Sequence, residues 1–318
     1  MKLQQLRHFV ALVDCKTMHA ASQALGLSQP ALSRSIQMLE KSLDVSLLRR
    51  EARRVFLTNA GVAFYQHARL VLNQCQRAQE DVASRGAGQA SEVSIGVGGM
   101  FTTYLIDNAI ASIAAANLPV RLRVREALFE DLIEDLQLGT LDLAFANFPR
   151  VKMSPRLKLE PLITLNLAVF VRSDHPLASK RGVALSEIID MPWLMIDQIH
   201  STTTLGAAFS RADLPFPPRV VRTDSLTLIR TLMTEGNYAT CMPEEMFLHE
   251  LEKGSLTRLE VPEFTFPRRA GLMYRSSDYH PPAVESVMNA IRAACSQKPR
   301  KDLLGAALKD RKPVRAAV

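Results

Sequence analysis

The chain is poor in cysteine. It has four in 318 residues, Cys15, Cys75, Cys241 and Cys295, and none stands in a CxxC or metal-finger spacing. This excludes a disulfide scaffold and a zinc finger, and suits small buried apolar residues in a reducing compartment. No run of 18 apolar residues exists, so no membrane-spanning helix is expected. The N-terminal stretch meets His8, Asp14 and Lys16 too early for a secretion signal and is expected to form an amphipathic helix. A cytoplasmic location follows as an expectation. The seven histidines, at 8, 19, 67, 175, 200, 249 and 280, form no HExxH pair. There is no GxSxG elbow and no GxxxxGK[ST] loop. Gly96, Gly98 and Gly99 follow a strand but do not make a dinucleotide fingerprint. An enzyme, a bound cofactor and a metal site are therefore not expected.

What is present is an uneven charge. The net charge is +7. Residues 1–58 carry nine Lys/Arg against four Asp/Glu, and residues 298–318 carry seven against two. The stretch between is slightly acidic. A basic head on an acidic body suits a polyanion-binding unit joined to a sensor. At this length the chain is expected to form several domains.

The head divides by pattern. Leu6, Phe9, Val10 and Val13 give a first helix one apolar face. A short helix follows at His19–Leu25, closed by Gly26, where the chain must turn sharply. The third helix begins at Ser28, which caps it, with Pro30 in its first turn. Leu32, Ile36, Leu39 and Leu43 form its apolar back. Gln29, Ser33 and Gln37 recur every four residues on its front, beside Arg34. Arg donates twice to guanine, Gln pairs with adenine and Ser with either, so this front suits a major groove. Arg49, Arg50, Arg53 and Arg54 then surround a turn, followed by a short strand at Val55–Thr58. This is expected to be a wing whose arginines meet phosphates or a narrow minor groove.

Phe64, Ala68, Val71, Cys75, Ala78 and Val82 make a heptad seam along a connector helix at 59–84. Such a seam packs on a partner helix or on its own domain. Residues 85–91 are Gly-rich and polar, a hinge. From residue 92 to 297, strand-like and helix-like stretches alternate, as in a layered α/β sheet. A break near Leu162–Leu165 divides two lobes, at 92–163 with 267–297, and at 164–266. Three segments are candidates for a ligand cleft between them, because strand ends and helix starts converge there. These are Met100, Phe101 and Thr102; Ser201, Thr202 and Thr203; and Thr223. Phe148 and Asn237 join them. Helix starts and hydroxyls suit an organic acid, whereas Met100, Phe101 and Phe148 favour a more apolar ligand. The tail at 298–318 is expected to be disordered.

Residues 3–61 resemble the winged helix-turn-helix head of LysR-type transcriptional regulators. The resemblance rests on Ala20-Ala21, on Leu27-Ser28-Gln29-Pro30-Ala31-Leu32-Ser33-Arg34, and on Ile36, Leu39-Glu40 and Leu43. It continues through Leu47, Arg49-Arg50 and Leu57-Thr58-x-x-Gly61. Met18, Leu48 and Ala52 depart from it. Weaker landmarks extend it to about residue 295: Gly139-x-Leu141-Asp142-Leu143-Ala144, Glu160-Pro161-Leu162, Asp174-His175-Pro176-Leu177-Ala178 and Pro192-Trp193. The resemblance implies a mainly α winged head, a long linker helix and a two-lobed, periplasmic-binding-protein-like α/β effector domain. It implies that double-stranded DNA and a small-molecule effector are partners, that RNA polymerase is contacted, and that linker helices pair in a homodimer or homotetramer. Positions Gln29, Pro30, Ser33 and Arg34 would face base edges. A periplasmic binding protein and a non-specific chromosome-coating protein are the rival readings. The DNA-binding head weighs against the first, and equal binding to any duplex would mark the second.

Overall fold

The computed structural model describes residues 1–51, 54–86, 90–148, 153–196, 199–262, 264, 266–276 and 280–296. The tail at 298–318 therefore lies outside the described residues.

Three helices, α1 (Leu3–Cys15), α2 (Met18–Leu25) and α3 (Gln29–Leu43), precede a two-stranded hairpin, β1 (Leu48–Glu51) and β2 (Arg54–Leu57). Their core is Leu6, Phe9, Leu12, Ala21, Leu32, Ile36, Leu39 and Leu47. Each large side chain among these contributes about 1.5–3 kcal/mol by leaving water. The helix ends follow from local chemistry. Thr17 Oγ1 accepts from Ala20 N at 3.2 Å and Ser28 Oγ from Ala31 N at 3.3 Å, capping α2 and α3. Gly26 closes α2 at φ 65°, a left-handed value that costs glycine little.

Helix α4 (Asn59–Gly86) has 28 residues and so extends about 42 Å. Among the described residues no helix is long and apolar enough to cross a membrane. Helix α4 follows the head core, with Phe64 edge-on to Phe9 at 5.2 Å and Ala68 buried. Farther along it packs on the body. Asn73 Nδ2 donates to Leu138 O at 2.6 Å, and Arg77 pairs with Asp142. The heptad seam is therefore divided: Phe64 and Ala68 face their own head, whereas Val71 and Val82 are exposed.

The body continues with β3 (Ser91–Val97), a 3-10 turn at Gly99–Phe101 and a π-helical turn at Thr102–Ile106. Next come α5 (Asp107–Ala115), β4 (Val120–Glu126), α6 (Phe129–Leu138), β5 (Leu143–Asn147) and the long β6 (Leu157–Arg172). Then follow α7 (Leu185–Ile188), β7 (Trp193–Ile196), α8 (Ile199–Arg211), β8 (Val220–Thr223), α9 (Leu226–Glu235) and β9 (Ala239–Pro243). After a 3-10 turn at Glu244–Phe247 the chain ends its described part with α10 (Leu248–Glu252), β10 (Leu256–Leu259), β11 (Phe266–Arg275) and α11 (Pro282–Ser296).

The sheet order is β4-β3-β5-β11-β6-β9-β7-β8, with β10 also on β6. Strands β4, β3 and β5 run parallel in one lobe; β9, β7 and β8 run parallel in the other. The antiparallel pair β6 and β11 carries the chain between lobes. The sequence pattern suggests a break near Leu162–Leu165, but β6 runs through it, leaving one lobe and entering the next without a turn. Its ladder slips once, between Ala270 and Gly271. A Cβ on Gly271 would lie 2.0 Å from Glu160 O, so this irregularity requires glycine. The first helix of the body is irregular as well. A π-helical turn occupies its start, and α-helical bonding begins at Asp107.

Candidate nucleic-acid interface and inter-lobe cleft

The back of α3 is fully buried at Leu32, Ile36 and Leu39. Its front presents Gln29, Arg34 and Gln37 to solvent, with Ser28 and Pro30 exposed at its start. Ser33 is half-buried and engaged by a neighbour. Gln29 Nε2 lies 3.3 Å from His19 Nδ1, which joins α3 to α2. On the flank, His8 Nδ1 lies 2.8 Å from Ser35 Oγ. Burial lowers the His8 pKa below its ordinary value.

Glu40 sets the hairpin against α3. Its Oε1 accepts from Leu47 N at 2.8 Å and from Leu48 N at 3.1 Å. Val55 N donates to Lys16 O at 2.9 Å, fastening the hairpin to the α1–α2 turn. Gly61 is required here too: a Cβ would lie 2.0 Å from Leu47 O. Arg54 is exposed on β2, and Arg49 stacks 5.7 Å from the Phe56 ring. Arg53 and the Arg50 side chain lie outside the described residues. The described head thus places exposed amides and cations beside one another on one helix and one hairpin.

The second site lies where the parallel strands of both lobes end. The cleft has a volume of ≈ 350 Å³. Gly98–Phe101 enter after β3, Arg125–Phe129 from the end of β4 into α6, and Ala146–Phe148 at the end of β5. Met195 and Ile196 come from β7, Asp224 and Leu226 from the start of α9, and Cys241–Pro243 from β9. Topology explains this convergence, since parallel strands bring their carboxyl ends to one edge.

Of the residues expected from sequence, Met100, Phe101 and Phe148 line the cleft. Phe101 also anchors the first lobe, edge-on to Phe145 at 4.9 Å. Thr102 turns its hydroxyl toward Gly99 O at 2.7 Å and Glu126 Oε2 at 3.2 Å. Thr223 and Asn237 are not among the lining residues. Thr223 Oγ1 accepts from Ser225 N at 3.0 Å, and Asn237 sits exposed between α9 and β9. The side chains of Ser201, Thr202 and Thr203 lie outside the described residues. Sequence reasoning missed Asn147, Met195, Cys241 and Met242. Their signal was available as position, because each stands at or near the end of a strand.

Of the charged lining groups, Arg125, Glu126, Asp131 and Asp224 are exposed, whereas Arg268, on β11, is half-buried and already engaged. Arg125 is already paired with Asp135. Deeper, Arg268 and Asn147 apart, the wall is apolar or sulfur-bearing. Burial pushes the Cys241 thiol far above its ordinary range, with Arg268 opposing.

Helix α6 joins this cleft to α4. Phe129 and Asp131, in its first turn, line the cleft. Its last residues and the turn after it meet Asn73 and Arg77. Gly139, at φ 74°, lets α4 approach; a Cβ there would stand 2.8 Å from Leu70 Cδ1. Burial, then neighbouring Arg275, lowers the Arg77 pKa to about 10, so it stays charged at neutral pH. Arg275 donates to Leu136 O at 2.9 Å and Leu141 O at 2.6 Å, stiffening the same turn.

Comparison with known proteins matches residues 3–62 to the bacterial regulatory helix-turn-helix protein, lysR family. Residues 86–296 match the LysR substrate binding domain. The chain is 29% identical to the SDS degradation transcriptional activation protein of a Pseudomonas species, over 91% of this chain and 95% of that one. It is 31% identical to a probable hydrogen peroxide-inducible genes activator of Mycobacterium avium, over 86% and 87%. Among solved structures it resembles a hydrogen peroxide-bound, cysteine-to-serine mutant of Corynebacterium glutamicum OxyR, with 27% identity and a TM-score of 0.55 over 92% and 94%. It also shares the fold of full-length CbnR complexed with target DNA, at 20% identity and a TM-score of 0.63, over 92% and 100%.

Proposed function

Because the chain belongs to the LysR family of DNA-binding transcriptional regulators, with that family's effector-binding domain, we propose which of its residues read DNA and which meet the effector. Ser28, Gln29, Pro30, Ser33, Arg34 and Gln37 face the major groove, and Arg50, Arg53 and Arg54 hold the flanking backbone. One observation carries this reading: a helix with a sealed back, Leu32, Ile36 and Leu39, and an exposed front of amides and a guanidinium. Arg34→Ala tests it. A duplex selected from a random pool on the wild-type chain should bind the variant with a loss of about 1–3 kcal/mol and relaxed base choice at one position. An unchanged footprint and affinity would remove Arg34 from the interface.

The effector occupies the cleft between lobes, against Met100, Phe101 and Phe148, with Ser201, Thr202 and Thr203 at the facing helix start. Two chains pair through the exposed part of α4, around Val71 and Val82, as a homodimer or a tetramer of such pairs. Ligand binding changes how the lobes sit on α4, and this alters DNA geometry or contact with RNA polymerase. The ligand acts only through its preference for one arrangement. The reading places the protein in the cytoplasm. Hydrogen peroxide appears in the names of some relatives, but a thiol switch at Cys241 or Cys295 finds no support. Burial raises both thiols, Cys295 to about 12, and the thiolate is the reactive form.

A further inference from the structure

Most polar groups of the cleft have a use already. Arg125 is tied to Asp135, and Glu126 holds the Thr102 hydroxyl. Asp131 and Asp224 stand in water at the rim. Asn147 differs. It ends β5, it lines the cleft, and its Oδ1 is buried without a hydrogen-bond partner among the described residues. Its Nδ2 meets the thioether of Met100, at 2.8 Å, a weak acceptor. Reversing the amide makes matters worse, since the carbonyl would then face sulfur and the N–H bonds would lose that acceptor.

A buried carbonyl without a donor is costly, because folding strips its water and returns nothing. The same cleft is lined by Met100, Phe101, Phe129, Phe148, Met195 and Met242, whose side chains offer no donor. From this geometry we infer that Asn147 orients the effector, and that the effector is a mostly apolar molecule bearing a hydroxyl or N–H donor aimed at Asn147 Oδ1. The inference rests on the cleft reading above and deepens it. A carboxylate placed at Asn147 Oδ1 brings only acceptors and would set oxygen against oxygen, and the half-buried Arg268 of the lining is already engaged. This disfavours the organic acid that the hydroxyl-rich helix start suggests, unless its acid group stays at the rim and another group donates.

The test uses the full-length chain and a matched set of probes: 4-ethylphenol, its methyl ether 4-ethylanisole, and 4-ethylbenzoate. Affinity is read by calorimetry, with thermal stability of the free protein alongside. In the wild type the phenol should bind about tenfold more tightly than the ether, the loss expected for one buried hydrogen bond, and more tightly than the benzoate. Asn147→Leu should abolish the preference between phenol and ether while leaving the free protein at least as stable, because an unsatisfied group has gone. Asn147→Asp retains an acceptor and should retain the preference. If Asn147→Leu fails to fold, Asn147→Asp against Asn147→Ala supplies the same contrast. Equal binding of phenol and ether, a preference that survives loss of the acceptor, or no binding by any probe overturns the inference. A parallel footprint on the selected duplex separates the two readings. DNA binding that persists through such a result leaves the regulator reading intact and sinks only the role of Asn147.

Discussion

The two sites are built by opposite means. The proposed DNA-facing surface is one side of one helix, and the residues that expose it also bury its back. Leu32 and Ile36 alternate with Ser33, Arg34 and Gln37 within a single stretch, so the surface persists while α3 stays packed. The cleft belongs to no single element. Its walls come from the ends of parallel strands and the starts of helices, in lobes joined by β6 and β11. A surface held by local packing presents constant chemistry. A surface held between lobes changes whenever the lobes move. The first suits reading a fixed DNA site and the second suits a switch.

The contrast breaks most visibly in the head core. Ile36→Ala empties a fully buried position under the proposed reading face. It should cost about 2–5 kcal/mol, the range for truncating a buried aliphatic side chain. Calorimetry should show the head transition falling while the body transition holds, and duplex binding should fall with the head. One merged transition that moves as a whole would show that head and body do not fold as separable units.

The next largest effect lies where the two regions meet. Arg77 and Asp142 are mostly buried, and Asp142 Oδ2 also accepts from Ser94 N at 2.9 Å. Arg77→Gln removes the cation and leaves Asp142 that one bond. Breaking a fully buried pair costs about 3–5 kcal/mol; partial exposure of this one brings the expectation to about 1–3 kcal/mol. The loss should appear in the body transition. Because α6 reaches from this clamp to the cleft, the variant should also bind 4-ethylphenol and DNA separately as before, yet lose the effect of one on the other. Unaltered coupling would mean that the cleft is linked to the head by another route.

Those differences in construction also govern what was legible in the sequence. In the head, spacing of three and four marked the core of α3, and its complement named the exposed front. The winged hairpin followed from its arginines around a turn and the short strand at Val55–Thr58. In the body, the alternation of elements gave the α/β class and most strands. It did not show that β6 runs unbroken between lobes, since a strand that passes straight from one lobe to the next carries no turn signal at the boundary. For the cleft, Met100, Phe101 and Phe148 were legible because they follow strands directly. Thr223 and Asn237 were drawn in by hydroxyl and amide chemistry, but Thr223 satisfies a local turn and Asn237 faces water. Asn147 was passed over because nothing in the order of residues reveals an acceptor without a donor. That requires the positions of Met100 and of β5 together.

Acid offers the smallest and most discriminating perturbation, since among the described residues each region carries one histidine that burial affects. The His8 pKa is lowered by burial in the head, and that of His175 by burial in the second lobe, where Leu177 N donates to its Nδ1 at 3.1 Å. In the unfolded chain both titrate near 6.5. A histidine with a depressed value in the fold binds its proton more readily when unfolded. Its stabilising effect is therefore complete above pH 6.5 and is lost as the pH falls from there toward the folded value. Both transitions should move down on acidification, by less than either substitution above. His8→Asn keeps a group opposite Ser35 Oγ but cannot titrate there, so it should flatten the acid response of the head transition and leave that of the body. His175→Asn should do the reverse. A head transition that keeps its acid slope in His8→Asn would assign the proton uptake elsewhere and take from His8 its part in holding α1 against α3.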